Sequence, residues 1–246
     1  MPNIKLTLGY DGTGYHGFQL QKNAVTVQQK LEEAIEKVMG QKVRITASGR
    51  TDTGVHATGQ VINFYAQTSI PPQRIPHALN AVLPRDIVIY AAEIVSDSFH
   101  ARFDAVGKTY TYTIDNGAHP QVLSRHHAYH VRFPLDANLM KQAAAILQGK
   151  HDFTSFMASG SSVKTTVRNL YRLDVATNWP YITITAAADG FLYNMVRIIA
   201  GTLIEVGRGK RDPNLGPVID AKNRHRAGWT VPAHGLVLRE VEYNKK

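Results

Sequence analysis

The chain has 246 residues, with 28 lysines and arginines against 19 acidic residues, a formal charge of +9 and no cysteine. The missing cysteines exclude disulfides, thiolate metal sites and cysteine nucleophiles, and 43% hydrophobic with 19% charged residues is the balance of a folded protein with one large core or two smaller ones. The basic surplus points to a polyanionic partner, nucleic acid first, and no apolar run reaches membrane-spanning length, so a soluble cytoplasmic protein with no membrane partner is expected.

In chain order, alternating polarity through Ile4, Leu6 and Leu8 predicts a strand. Thr26 with Gln29 reads as a capping box opening a helix through Val27, Leu31, Ala34, Ile35 and Val38, which Gly40 closes. Strands follow at about 43–48 and 60–66, then a helix from near Pro72 to Pro84 and a strand through IVIYAAEIV. The alternating KTYTYTID at 108–115 opens a second half, followed by a helix through Leu135, Leu139, Ala143, Ile146 and Leu147. Strands at about 166–177 and 181–187, an apolar helix at about 192–206 and a last strand, GLVLREVEY, complete it. The order β-α-β-β-α-β thus occurs twice. The expected fold is α+β, two ferredoxin-like halves at 1–104 and 105–246 whose antiparallel sheets combine around a central basic cleft.

The densest run of unusual residues is ASGRTDTGVHATGQ at 47–60, which sets Arg50, Asp52, His56 and three glycines between two predicted strands. It reads either as a functional loop whose glycines let backbone approach a ligand, or as an elaborate turn whose Asp52 caps backbone amides. Three lookalikes are set aside. Asp52-Thr53-Gly54 is the aspartic-protease tripeptide, but only one copy exists and that chemistry needs two carboxylates. Gly12-Thr13-Gly14-Tyr15-His16-Gly17 spells G-x-G-x-x-G, yet its helix starts about ten residues late for a dinucleotide site. His126, His127 and His130 have no matching carboxylate spacing, so no metal site is expected.

GRTDTGVHA at 49–57 resembles the active-site signature of the TruA-type tRNA pseudouridine synthases. The similarity extends to GYDGTGYHGFQ, FHARFDAVGKTYTYTI at 99–114, HDFTSF at 151–156 and FLYNMVRIIAGTLIEVGRG at 191–209, and so runs through essentially the whole chain. The resemblance implies that Asp52 is the catalytic aspartate, that Arg50 organises its loop and binds RNA backbone, and that His56 is a further substrate-binding residue. It implies that Tyr110 packs on the target uracil and that Arg197 pairs with the catalytic carboxylate. It further implies tRNA as partner, uridines 38, 39 and 40 of the anticodon stem-loop as targets, a homodimer, and no cofactor.

The residue types suit that chemistry. Pseudouridine forms when the N1–C1′ bond breaks, the base turns and C5 bonds to C1′; a carboxylate can stabilise the electron-poor C1′, as in retaining glycosidases. Whether Asp52 attacks C1′, adds to C6 or takes the C2′ proton stays open. Arg197 is the one charged residue between Phe191 and Ile204; it either meets a carboxylate or snorkels to the helix surface. Tyr110 either offers a stacking face for an extracted base or packs on a core.

Overall fold

A computed structural model of the chain describes residues 1–160 and 163–244. Two compact units emerge, Met1–Val106 with Val237–Lys246, and Gly107–Leu236. The closing strand therefore groups with the first unit, although chain order puts it at the end of the second half.

The first unit runs β1 (Asn3–Tyr10), α1 (Val27–Met39), β2 (Thr46–Ala47), β3 (His56–Tyr65), α2 (Ile75–Asn80) and β4 (Ile87–Val95). In β1, Ile4, Leu6 and Leu8 are fully buried, because a strand turns alternate side chains to one face and here that face meets the helices. The sheet order is β4-β1-β3 with β2 on β3, every pair antiparallel. Leu6 lies opposite Ile62 on one side and Ala92 on the other.

Helix α1 begins as the capping pattern predicts, Thr26 Oγ1 accepting from the Gln29 N–H at 3.3 Å. The reciprocal half of the box is absent, since the Gln29 amide donates forward to Glu33 at 2.8 Å. Gly40 ends the helix in the left-handed region at φ 68°. Two expected elements are shorter than periodicity predicts. The strand expected at 43–48 is two residues long: Glu32, reaching from α1, takes the Ile45 N–H at 3.2 Å and leaves it unavailable to a ladder. The helix expected from Pro72 to Pro84 is a 3-10 turn at Pro72–Arg74 and then α2, whose last residue, Asn80, turns its side chain to both the N–H and the C=O of Ile89 at 2.8 and 2.9 Å.

The second unit holds β5 (Ala105–Asp115), β6 (Tyr129–His130), α3 (Ala137–Leu147), β7 (Gly149–Asp152), β8 (Val167–Asn178), β9 (Tyr181–Ala188), α4 (Met195–Gly207) and α5 (Gly216–Asp220). Its strands run in the order β5-β9-β8-β7, antiparallel throughout, and β6 lies parallel to the end of β5. Asp136 caps α3 by accepting from the Asn138 and Leu139 amides. Helix α4 starts at Met195, later than the apolar run, because Asn194 has φ 60° and cannot belong to a right-handed helix. It is buried on almost every side, as a helix apolar all round must be. Periodicity did not predict β6, β7 or α5, each of five residues or fewer.

Last comes β10 (Leu236–Tyr243), which pairs in parallel with β3 at Val237–His56 and Leu238–Ala57. Among the described residues no helix is long and apolar enough to cross a membrane.

Candidate active site

Asp52 lies on the segment joining β2 to β3, half-buried, between buried Thr51 and exposed Thr53. The Val55 N–H donates to its carbonyl at 3.1 Å and closes a turn around it. The stretch leading into Asp52 is tied down from two directions. On one side the Phe18 N–H donates to Thr51 O at 3.0 Å, and Gly17, at φ +83°, lies so near that a Cβ there would be 2.8 Å from the same oxygen. On the other, the buried Tyr10 hydroxyl meets Thr51 Oγ1 at 2.7 Å, and Gln60 from β3 donates to Gly49 O at 3.0 Å while Ser48 Oγ donates to Gln60 Oε1 at 2.6 Å. Burial pushes the Tyr10 phenol up to about 12, with its hydrogen bonds to Thr51 and Gln60 pulling the other way. It is therefore a neutral hydroxyl at physiological pH.

The glycine-rich segment after β1 packs against this loop. A Cβ on Gly12 would sit 2.0 Å from Val55 O, so the first glycine of G-x-G-x-x-G serves backbone-on-backbone packing. His56 secures the same junction. Its ring is 3% exposed, Nδ1 accepting from the Gly12 N–H at 3.0 Å and lying 3.1 Å from Asp11 Oδ1. The structure thus places His56 beneath the loop, inside the protein, while Arg50 stands exposed upon it.

In the second unit Tyr110 lies half-buried on β5 opposite the small Ala186 of β9 and meets Phe191 edge-on, ring centroids 5.1 Å apart at 84°. Two residues on, Tyr112 is fully buried and donates to Pro232 O at 2.8 Å. Burial raises its hydroxyl far above the ordinary phenol range, the positive charge of Arg197 offsetting only part of that. Arg197, in the first turn of α4, donates from Nε to Val231 O at 2.8 Å and from Nη1 to Asn194 Oδ1 at 2.7 Å. These bonds in two directions set the plane of the guanidinium; the side chain is not a freely snorkelling one. Asn194, the left-handed residue that delays α4, thus also aims this arginine.

Sequence reasoning singled out Asp52, Arg50, His56, Tyr110 and Arg197 but missed Tyr10, Thr51, Gln60 and Asn194. Gln60 carried a usable signal, an amide directly before the apolar Val61 and Ile62 in a strand. Such a side chain, buried, must have partners.

A family model described as tRNA pseudouridine synthase matches residues 8–104 and 143–244. A protein named tRNA pseudouridine synthase A from Thermoanaerobacter sp. (strain X514) is 48% identical over 244 residues, covering 99% of this chain and 100% of that one. Its namesake from Acetivibrio thermocellus is 50% identical over 244 residues with the same coverage. A solved structure of a Cbf5-Nop10-Gar1 complex gives a TM-score of 0.36 at 11% identity, spanning 82% of this chain but 45% of that one, under half its length. On the family model and the end-to-end relatives, the chain belongs to the tRNA pseudouridine synthase family.

Proposed function

We propose that this isomerase acts on uridines 38, 39 and 40 of the tRNA anticodon stem-loop, with Asp52 as its essential carboxylate. One observation carries the reading: a half-buried carboxylate stands on a loop whose leading stretch, Gly49 and Thr51, is held by hydrogen bonds from the buried Gln60 and Tyr10, the preorganisation that a group facing a developing positive charge requires. The reaction conserves atoms. The N1–C1′ bond breaks, the base rotates, C5 bonds to C1′, the C5 proton leaves and N1 gains one. Asp52 stabilises C1′ while the base is detached.

In this reading Arg197 pairs with the Asp52 carboxylate and keeps it ionised against desolvation. Its fixed guanidinium plane supports that role. Tyr110 gives the extracted uracil a stacking face, supported by its half-buried position opposite an alanine. Arg50, exposed beside the loop, takes RNA phosphate. His56 contributes to substrate binding through the Gly12 segment that it holds. The element order and the antiparallel arrangement β4-β1-β3-β2 support a ferredoxin-like first half within residues 1–104, and β5, α3, β8, β9 and α4 with sheet order β5-β9-β8 support one within 105–246. A cytoplasmic homodimer that needs no cofactor belongs to the same reading.

The test incubates an unmodified tRNA transcript with wild type and Asp52→Asn, then maps pseudouridine by carbodiimide labelling and primer extension. Stops at the three anticodon-arm positions with wild type alone are expected. Equal stops with Asp52→Asn would remove the carboxylate from the mechanism, and stops elsewhere would overturn the site assignment.

A further inference from the structure

The Gln60 amide behind the Asp52 loop has a determined orientation. The Val61 N–H can only donate, and it reaches Gln60 Oε1 at 3.1 Å; the Gly49 carbonyl can only accept, and it faces Gln60 Nε2 at 3.0 Å. Both contacts fix the same amide orientation. The Gln60 amide also lies 3.5 Å from the Tyr10 hydroxyl oxygen, which shares a hydrogen bond of 2.7 Å with Thr51 Oγ1 that either hydroxyl can donate. Gln60 and Ser48 are 0% exposed, Tyr10 5% and Thr51 7%. Hydrogen bonds thus link Gln60 on β3 through Tyr10 on β1 to Thr51, the residue preceding Asp52.

We infer that Tyr10 and Gln60 are positioning residues for the isomerisation, setting the backbone from which Asp52 projects through Thr51 and Gly49. The inference rests on the proposed role of Asp52 and adds residues that touch no substrate. The alternative is that these bonds merely contribute to folding. Geometry separates the two, because the network ends on Gly49 O and Thr51 Oγ1, both within three residues of the carboxylate. A half-buried tyrosine whose hydroxyl is bonded without such a path should matter only to stability. Tyr243 is that control: its hydroxyl donates to Ala101 O at 2.6 Å in the same unit, far from the loop in sequence.

The experiment compares steady-state kinetics on a tRNA transcript for wild type, Tyr10→Phe, Thr51→Val, Thr51→Ser and the Tyr10→Phe/Thr51→Val double variant, with Tyr243→Phe as control. Unfolding temperatures are measured in parallel. A displacement of about 1 Å at a reacting group can cost on the order of a hundredfold, so a partly loosened loop should lose about tenfold in kcat. Tyr10→Phe and Thr51→Val should each show that loss with KM within about twofold of wild type. The double variant should be no worse than either single, because both break one contact, and Thr51→Ser, which keeps the hydroxyl, should retain wild-type kcat. Tyr243→Phe should lower the unfolding temperature and leave kcat unchanged.

The inference is overturned if Tyr10→Phe keeps full kcat, if its loss appears only in KM, or if Tyr243→Phe loses as much kcat at equal stability. Should Tyr10→Phe fail to fold, Thr51→Val against Thr51→Ser decides alone: equal kcat in the two refutes it. Wild type inactive on tRNA, by contrast, refutes the proposed function and is seen before any variant is compared.

Discussion

Gly17 offers the most direct test of how the aspartate loop is held. With φ +83° and a Cβ position 2.8 Å from Thr51 O, alanine there meets two penalties. The left-handed backbone costs an L-residue roughly 1–2 kcal/mol, and relieving the contact must lengthen or break the adjacent Phe18 N–H to Thr51 O bond of 3.0 Å, worth about 1 kcal/mol. Reduced freedom of the unfolded chain returns about 0.5–1 kcal/mol. The net loss is about 2 kcal/mol, which for a chain of this size lowers the unfolding temperature by roughly 4–8 °C. Gly40 isolates the first penalty: its φ is +68° but nothing lies within 4 Å of its Cβ position. Thermal unfolding and single-turnover assays on Gly17→Ala and Gly40→Ala should therefore diverge. Gly17→Ala should be the less stable and also slower in the chemical step, whereas Gly40→Ala should be mildly destabilised with unchanged turnover. Matching stability losses with wild-type turnover in both would show that contact at Thr51 does not hold the loop.

Four further outcomes are expected. Ser155 is fully buried, donating to Val218 O at 2.6 Å and accepting from the Asn223 N–H at 2.9 Å; Ser155→Ala should cost about 1–3 kcal/mol in urea unfolding without altering kcat. Asp152 is held well below the usual carboxylate range by hydrogen bonds from Thr154 and Thr166, with the Lys222 ammonium 3.1 Å away. A depressed folded-state pKa stabilises above the unfolded value of about 3.9 and loses that contribution as pH falls, so the stability gap between wild type and Asp152→Asn should be full at pH 7 and shrink below about pH 4. Lysine cannot reproduce the planar two-direction grip of Arg197, and Arg197→Lys should lose about tenfold or more in kcat. With a net charge of +9, the Kd for tRNA should rise roughly tenfold or more between 50 and 200 mM salt; a flat response in filter binding would contradict a phosphate-dominated interface.

What could be read from sequence was what local chemistry decides. Helix α1 was legible at both ends because Thr26 and Gly40 act within a residue or two of the termini they set. Element lengths were not, wherever a distant side chain intervenes: Glu32 trims β2 from 13 residues away, and Asn80 ends α2 by binding across nine residues to Ile89. The partner of β10 is a strand some 180 residues earlier in the chain, and no periodicity encodes it. Among the candidate residues, residue density singled out the Asp52 loop, and isolation in an apolar helix singled out Arg197. The within-unit partners that aim Arg197, Asn194 and Val231, are three and 34 residues away. The nearer was overlooked because its left-handed backbone cannot be read from an asparagine alone.

The support of the aspartate loop is polar for a physical reason. An apolar core fills space but sets no direction, whereas each hydrogen bond fixes both a distance and an angle. Tyr10 and Gln60 lie 50 residues apart on the neighbouring strands β1 and β3, so their contact exists only once these have paired in register; a slip of one residue would turn the slipped strand's side chain to the opposite face. Formation of the network is therefore conditional on correct assembly of the sheet. Its bonds lie in buried surroundings where an unmet partner is costly, which makes misplacement of the loop an all-or-none loss. In the role proposed for Asp52, a carboxylate that acts on one nucleotide gains more from such a support than from extra apolar area, because the apolar contacts of Leu6, Leu8 and Ile62 already hold the two strands together.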